Sequence, residues 1–179
     1  TLNPTENLHF AQLFYTSSAS TNTANTRSAV TISLTSAEEA GAEVCLLPVD
    51  NTSDDTSSLV YTINRDGAKF MSMNPAVPDI AVCGAAGEMM SLAGATPLEK
   101  EISLATRVGT TGRYTFSLGR NTRGDINRSA DGSSAPPTEV WLKDYQTGIV
   151  TNLMEEDYTT EITTGENPTS PVLTTGRFS

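Results

Sequence analysis

The sequence predicts an all-β fold, an antiparallel β-sandwich or jelly roll of about ten strands with long loops. Apolar residues recur at every second position in short runs, the period of a pleated strand with one buried face. Turn-forming residues interrupt these runs at roughly 8–12-residue intervals. No segment carries a helical period over the length that a βαβ crossover needs. Serine and threonine together make up roughly a quarter of the chain, well above ordinary usage. Threonine suits a half-exposed sheet surface and serine suits turns.

The elements follow in order. Leu8 to Tyr15 reads as a first strand. Val30, Ile32 and Leu34 alternate with Thr31, Ser33 and Thr35, a strand with one wet face. Ser36 to Gly41 suits either a helical turn or a loose hairpin, and Val44 to Val49 is the next strand. Leu59 to Ile63 and Ala68 to Met73 flank Asp66-Gly67, a dipeptide that favours hairpin turns because glycine tolerates positive φ. Pro75 to Pro97 is rich in Pro, Gly and Ala and reads as irregular, with one or two short strands. Ile102 and Leu104 resume the alternation. In Arg113 to Leu118 the residues Tyr114, Phe116 and Leu118 face inward. Glu139 to Asp144 and Ile149 to Leu153 form a hairpin through Tyr145-Gln146-Thr147-Gly148, and Tyr158 to Ile162 is a further strand. The final Gly176 to Ser179 begins another. Residues 1–179 are read as one domain with flexible insertions at 16–27, 75–97 and 119–137.

The net charge is −10. Such a surface repels phosphate backbones and anionic lipid, so neither nucleic acid nor direct membrane insertion is expected. There is no apolar run of transmembrane length and no basic-then-apolar leader at the start of the sequence given. Cys45 and Cys83 lack metal-type spacing. A disulfide between them and a pair of buried thiols are both open readings.

Several segments together suggest a family. They are Gly112-Arg113-Tyr114-Thr115-Phe116-Ser117-Leu118, Val140-Trp141-Leu142-Lys143-Asp144, Thr147-Gly148, Asn152-Leu153, Tyr158-Thr159 and Arg177-Phe178. Leu59-Val60-Tyr61-Thr62-Ile63 and Met71-Ser72-Met73-Asn74 lie upstream. This arrangement resembles a β-sandwich module of Bacteroidetes cell-surface and secreted proteins that often precedes a C-terminal secretion-sorting domain. Threonine at Thr159-Thr160 and the long stretch from Gly119 to Pro137 depart from that pattern. The resemblance implies an extracytoplasmic, adhesin-like module at the cell surface or secreted, with other surface proteins or glycans as partners. It carries no catalytic motif to transfer.

The chemistry of the residues agrees with a non-catalytic role. The sole histidine, His9, lies in an expected strand, and no G-x-S-x-G or activated cysteine context accompanies it. Glu38-Glu39, Glu99 and Glu101, and Glu155-Glu156-Asp157 supply carboxylates, but in polar segments that suit solvated loops better than a paired acid and base. No cofactor is expected, with calcium the one candidate ion: Asp50, Asp54 and Asp55 offer hard oxygen ligands, without EF-hand spacing. Strand parity turns Trp141 outward if Val140 and Leu142 are core. With Tyr145 it forms a candidate carbohydrate-binding surface, the alternative to a purely structural or adhesive module.

Overall fold

A computed structural model describes residues 14–16, 30–38, 40–48, 61, 66–95, 101–119, 139–164 and 171–179. Among them there is no helix, and the all-β expectation holds. The strands are β1 (Phe14–Thr16), β2 (Val30–Ser36), β3 (Gly41–Pro48), β4 (Gly67–Ala68), β5 (Asp79–Cys83) and β6 (Met89–Ala95). They continue with β7 (Leu104–Val108), β8 (Gly112–Leu118), β9 (Glu139–Asp144), β10 (Ile149–Asn152), β11 (Tyr158–Ile162) and β12 (Val172–Phe178). All belong to one hydrogen-bonded sheet of order β1-β9-β12-β7-β5-β6-β3-β2-β8-β11, with β10 branching from β9 and β4 from β6.

The sheet is mixed. The β3–β6 pairing is parallel, with Cys45 opposite Leu92 and Leu47 opposite Gly94, and the other described pairings are antiparallel. Parallel neighbours need a long crossover, and the chain between β3 and β6 supplies one that includes β4 and β5. The sheet curls into a nearly barrel-like shape around an apolar interior. Ile32, Leu34, Ile80, Leu104, Phe116, Leu142 and Phe178 are fully buried there. Phe116 of β8 and Phe178 of β12 pack at a tilt of 49° with ring centroids 4.5 Å apart, although their strands are far apart in the sheet order.

β8 buries Tyr114, Phe116 and Leu118, as its alternation predicts. The Tyr114 hydroxyl donates back to the Thr110 carbonyl at 2.6 Å, pinning the corner at which the strand begins. Ser36 to Gly41 is a hairpin, closed by the Ser36 amide on the Ala40 carbonyl at 2.8 Å.

One expectation needs correction. Asp66-Gly67 is not the tip of a hairpin that leads into a strand over Ala68 to Met73. Gly67–Ala68 is a two-residue strand on β6, and Lys69 to Asn74 is outside the sheet. The Asp66 carboxylate is buried and accepts the Gly94 amide at 2.7 Å, so this aspartate anchors the chain to β6 instead of turning in water. Pro75 to Pro97, read as irregular with one or two short strands, holds two, β5 and β6, joined by a turn with Gly87 at φ +87°. β5 is buried from Asp79 through Val82, which removes the alternation by which a half-exposed strand is recognised. Most of the expected insertions, 17–27 and 120–137, lie outside the described residues.

Candidate functional site

The β9–β10 hairpin carries the residues singled out from the sequence. Along β9, Val140, Leu142 and Asp144 are buried while Trp141 and Lys143 are only partly so. Trp141 therefore faces outward, in register with Phe14 of β1 and Asn152 of β10. Its indole N–H donates to Glu139 Oε2 at 3.1 Å. Lys143 Nζ lies 3.8 Å from the Tyr145 ring centroid, a cation–π contact. The Tyr145 hydroxyl donates to Glu101 Oε1 at 2.6 Å, and Ser179 Oγ donates to the same oxygen at 3.0 Å. The bond to Glu101, aided by burial, pushes the Tyr145 phenol above its ordinary pKa against the opposing pull of Lys143. The outer face of β9 thus offers an indole and a phenol with carboxylates and an ammonium beside them. Such groups can stack on a sugar ring and bond its hydroxyls.

The inner face of the same strand holds the strongest polar cluster among the described residues. Asp144 is wholly buried. Arg177 meets it in a two-pronged ion pair, Nε to Oδ1 at 3.0 Å and Nη2 to Oδ2 at 2.8 Å. The Tyr158 hydroxyl donates to Oδ2 at 2.8 Å, Thr160 Oγ1 to Oδ2 at 3.3 Å, and the Gln146 amide to Oδ1 at 2.9 Å. Arg177 also donates to Thr160 Oγ1 at 2.7 Å and to the Glu161 carbonyl at 2.9 Å. Burial alone pushes the Asp144 carboxyl up. Its bonds to Arg177, Tyr158 and Gln146 and the charge of Arg177 outweigh that effect, so its pKa lies below the usual aspartate value. An ionised carboxylate with this many donors has no lone pair placed for proton transfer. Its work is to join β9, β11 and β12.

Local backbone explains how Arg177 reaches inward. The register of β12 on β7 shifts between Thr175 and Phe178, a bulge in which Gly176 takes φ +78°. The bulge turns Arg177 and Phe178 into the interior.

A second buried carboxylate organises β5. Asp79 receives Lys69 Nζ at 3.3 Å, Arg107 Nη1 at 3.1 Å and the Ser72 amide at 2.7 Å. Arg107 Nη1 also donates to the Ser72 carbonyl at 2.7 Å.

The calcium candidates Asp50, Asp54 and Asp55, with His9, Glu39 and Glu99, lie outside the described residues. Among the described residues no group of three or more His, Cys, Asp and Glu side chains is placed to hold a metal ion. Cys45 and Cys83 are free thiols, not a disulfide. Burial pushes Cys83 up to about 11. It raises Cys45 as well, against a hydrogen bond with Thr31.

Sequence reasoning found the outward Trp141 but missed Asp144, Arg177 and Asp79 as structural centres. For Asp144 a signal was present: it shares strand parity with Val140 and Leu142, so a charge on the core face demands a buried partner.

No protein-family model, curated protein or solved structure matches this chain.

Proposed function

We propose that this protein is a non-catalytic module, structural or adhesive, of a cell-surface or secreted bacterial protein of the Bacteroidetes type. The observation that carries the reading is the Asp144–Arg177 cluster. Its buried charges are spent on joining three strands into one rigid body, the property wanted in a scaffold that presents loops. The acidic, Ser/Thr-rich composition suits an extracytoplasmic surface.

The test has two arms. Protease treatment of intact producing cells, followed with an antibody against the chain, should remove the protein. The purified protein should leave panels of ester, peptide and glycoside substrates untouched. Protection from protease in intact cells, or turnover in proportion to the protein added, would sink the reading.

A second reading rests on Trp141 and Tyr145, which share the outer side of the β9 hairpin with Lys143. In it the module binds carbohydrate by stacking on the indole. A glycan array of wild type and Trp141→Ala decides: signal confined to wild type supports carbohydrate binding, and equal or absent signal removes it.

A further inference from the structure

β1 and β12 lie end to end along one edge of β9. Trp141 is in register with Phe14 of β1 and with Asn152 of β10, and Asp144 with Ile149 of β10 and with Phe178 of β12. A strand residue has one neighbour on each edge. β10 takes one edge at both positions, so β1 and β12 share the other. Both run antiparallel to β9, and hence in the same direction. Ser179 pairs with Lys143 through two backbone bonds of 3.1 and 3.4 Å, and the next strand on that edge begins with Phe14 opposite Trp141. The backbone bonds agree with this placing. The Lys143 and Tyr145 amides turn to β12, while the Val140 carbonyl turns to β10 and accepts the Leu153 amide at 2.7 Å. Alternation then puts the backbone groups of Glu139 and Trp141 on the edge that β1 covers.

The two pieces hold that edge unequally. β12 (Val172–Phe178) pairs with β7 along most of its length and carries Arg177 and Phe178 into the interior. β1 has three residues and stands at the end of the sheet order, and among the described residues its ladder is with β9 alone. Residues 17–29, which link it to β2, contain no apolar side chain larger than alanine. A strand tied by three pairs at the end of a sheet opens more readily than the sheet interior. Its opening leaves the N–H and C=O groups of Glu139 and Trp141 unpaired, on an edge whose direction β12 has already set.

We propose that β1 is an exchangeable strap, and that the stretch of β9 it covers accepts another extended strand in its place. The occupant is a strand of the kind that β1 is, uncharged and antiparallel to β9. Continuity with the β12 ladder fixes the direction in which it runs. Charge fixes its chemistry. From Asn7 to Thr26 the chain carries no Asp, Glu, Lys or Arg, in a molecule of net charge −10. An uncharged strand approaches such a molecule without repulsion, so the exchange is indifferent to salt. Within the intact chain, the covalent link holds β1 near its site at an effective concentration of about millimolar, and a competitor must overcome that advantage. The inference stands independently of the surface-module and carbohydrate readings.

Native-state hydrogen exchange of the intact chain, followed by NMR at low urea concentrations, tests the strap. The amides of Trp141, Lys143 and Tyr145 point to the same edge of the same strand. Exchange at Trp141 should be at least about tenfold faster than at Lys143 and Tyr145 and should depend little on urea, the mark of a local opening. A synthetic peptide of residues 12–18 tests acceptance, read from the fluorescence of Trp141, the sole tryptophan. In the whole chain, Phe14→Pro/Thr16→Pro removes the two strap amides that face β9. The peptide should bind this variant at least about tenfold more tightly than it binds wild type, equally at low and high salt. A peptide carrying the same two prolines should bind neither protein. A Trp141 amide as protected as that of Lys143 would overturn the proposal. So would a double variant that unfolds, since β1 would then be an integral strand. Peptide binding that is equal for the two proteins, absent from both, or unaffected by the prolines would overturn it as well.

Discussion

Asp144 of β9 and Arg177 of β12 face each other through two nearly parallel hydrogen bonds of 3.0 and 2.8 Å, both residues buried. Breaking a buried pair by removing one partner leaves the other charge without compensation. Asp144→Asn keeps the shape but not the charge and should cost about 3–5 kcal/mol. Urea denaturation followed by circular dichroism measures it. A loss of about 1 kcal/mol or less, the range of exposed pairs, would show that solvent reaches the site.

The same carboxylate makes stability depend on acid. Its folded pKa is depressed below the ordinary value, so the unfolded chain binds the proton more readily. The contribution is fully present above the ordinary aspartate pKa of about 3.9 and is lost as pH falls through the lower folded value. Wild type should lose urea midpoint steeply on acidification in that window, and Asp144→Asn should lose less. Parallel curves for the two proteins would contradict the assignment.

Gly176 sits at φ +78° in the bulge that aims Arg177 inward. Any residue with a Cβ is disfavoured there by roughly 1–2 kcal/mol. Gly176→Ala should lower stability by about that amount, and Gly176→Asn by less, because asparagine tolerates this region better. Thermal melts of the three proteins give the ranking.

Tyr114 donates to the Thr110 carbonyl at 2.6 Å and shares a 3.3 Å contact with Thr110 Oγ1. Tyr114→Phe removes that donor and leaves the ring packed. The expected loss is about 1–2 kcal/mol, read from chemical denaturation. An unchanged midpoint would show that the corner holds without the hydroxyl.

Thr106 is buried on β7 and its hydroxyl has no hydrogen-bond partner among the described residues. A buried unsatisfied hydroxyl costs about 1–3 kcal/mol. Thr106→Val replaces it with a methyl group of similar size and should stabilise the protein by about 1 kcal/mol. A lower melting temperature for Thr106→Val would mean that the hydroxyl is hydrated or otherwise engaged.

Much of the fold was legible because half-buried strands alternate. β8 buries the three residues that its pattern names, and the β9–β10 hairpin lies where Thr147-Gly148 places it, with Gly148 at φ +72°. The pattern failed where burial is two-sided, as in β5, or where a polar residue has a tertiary task, as Asp66 has on the Gly94 amide. The parallel pairing of β3 with β6 was not legible, because alternation names a strand's faces and not its neighbours. For the candidate site, parity placed Trp141 outward. The partner that Asp144 finds, 33 positions along the chain in Arg177, depends on a bulge whose one trace in the sequence is a glycine.

The position of β12 has a consequence for folding. β12, the last of the described strands, is interior in space, inserted between β9 and β7. Until it arrives, both neighbours expose unpaired backbone, and the arginine that neutralises Asp144 is missing. A chain in which β12 has not yet docked therefore stays open along a seam, and that interval is when foreign strands can enter. A synthetic peptide spanning residues 171–179 should occupy that seam in a chain truncated before β12, restoring the sheet in trans.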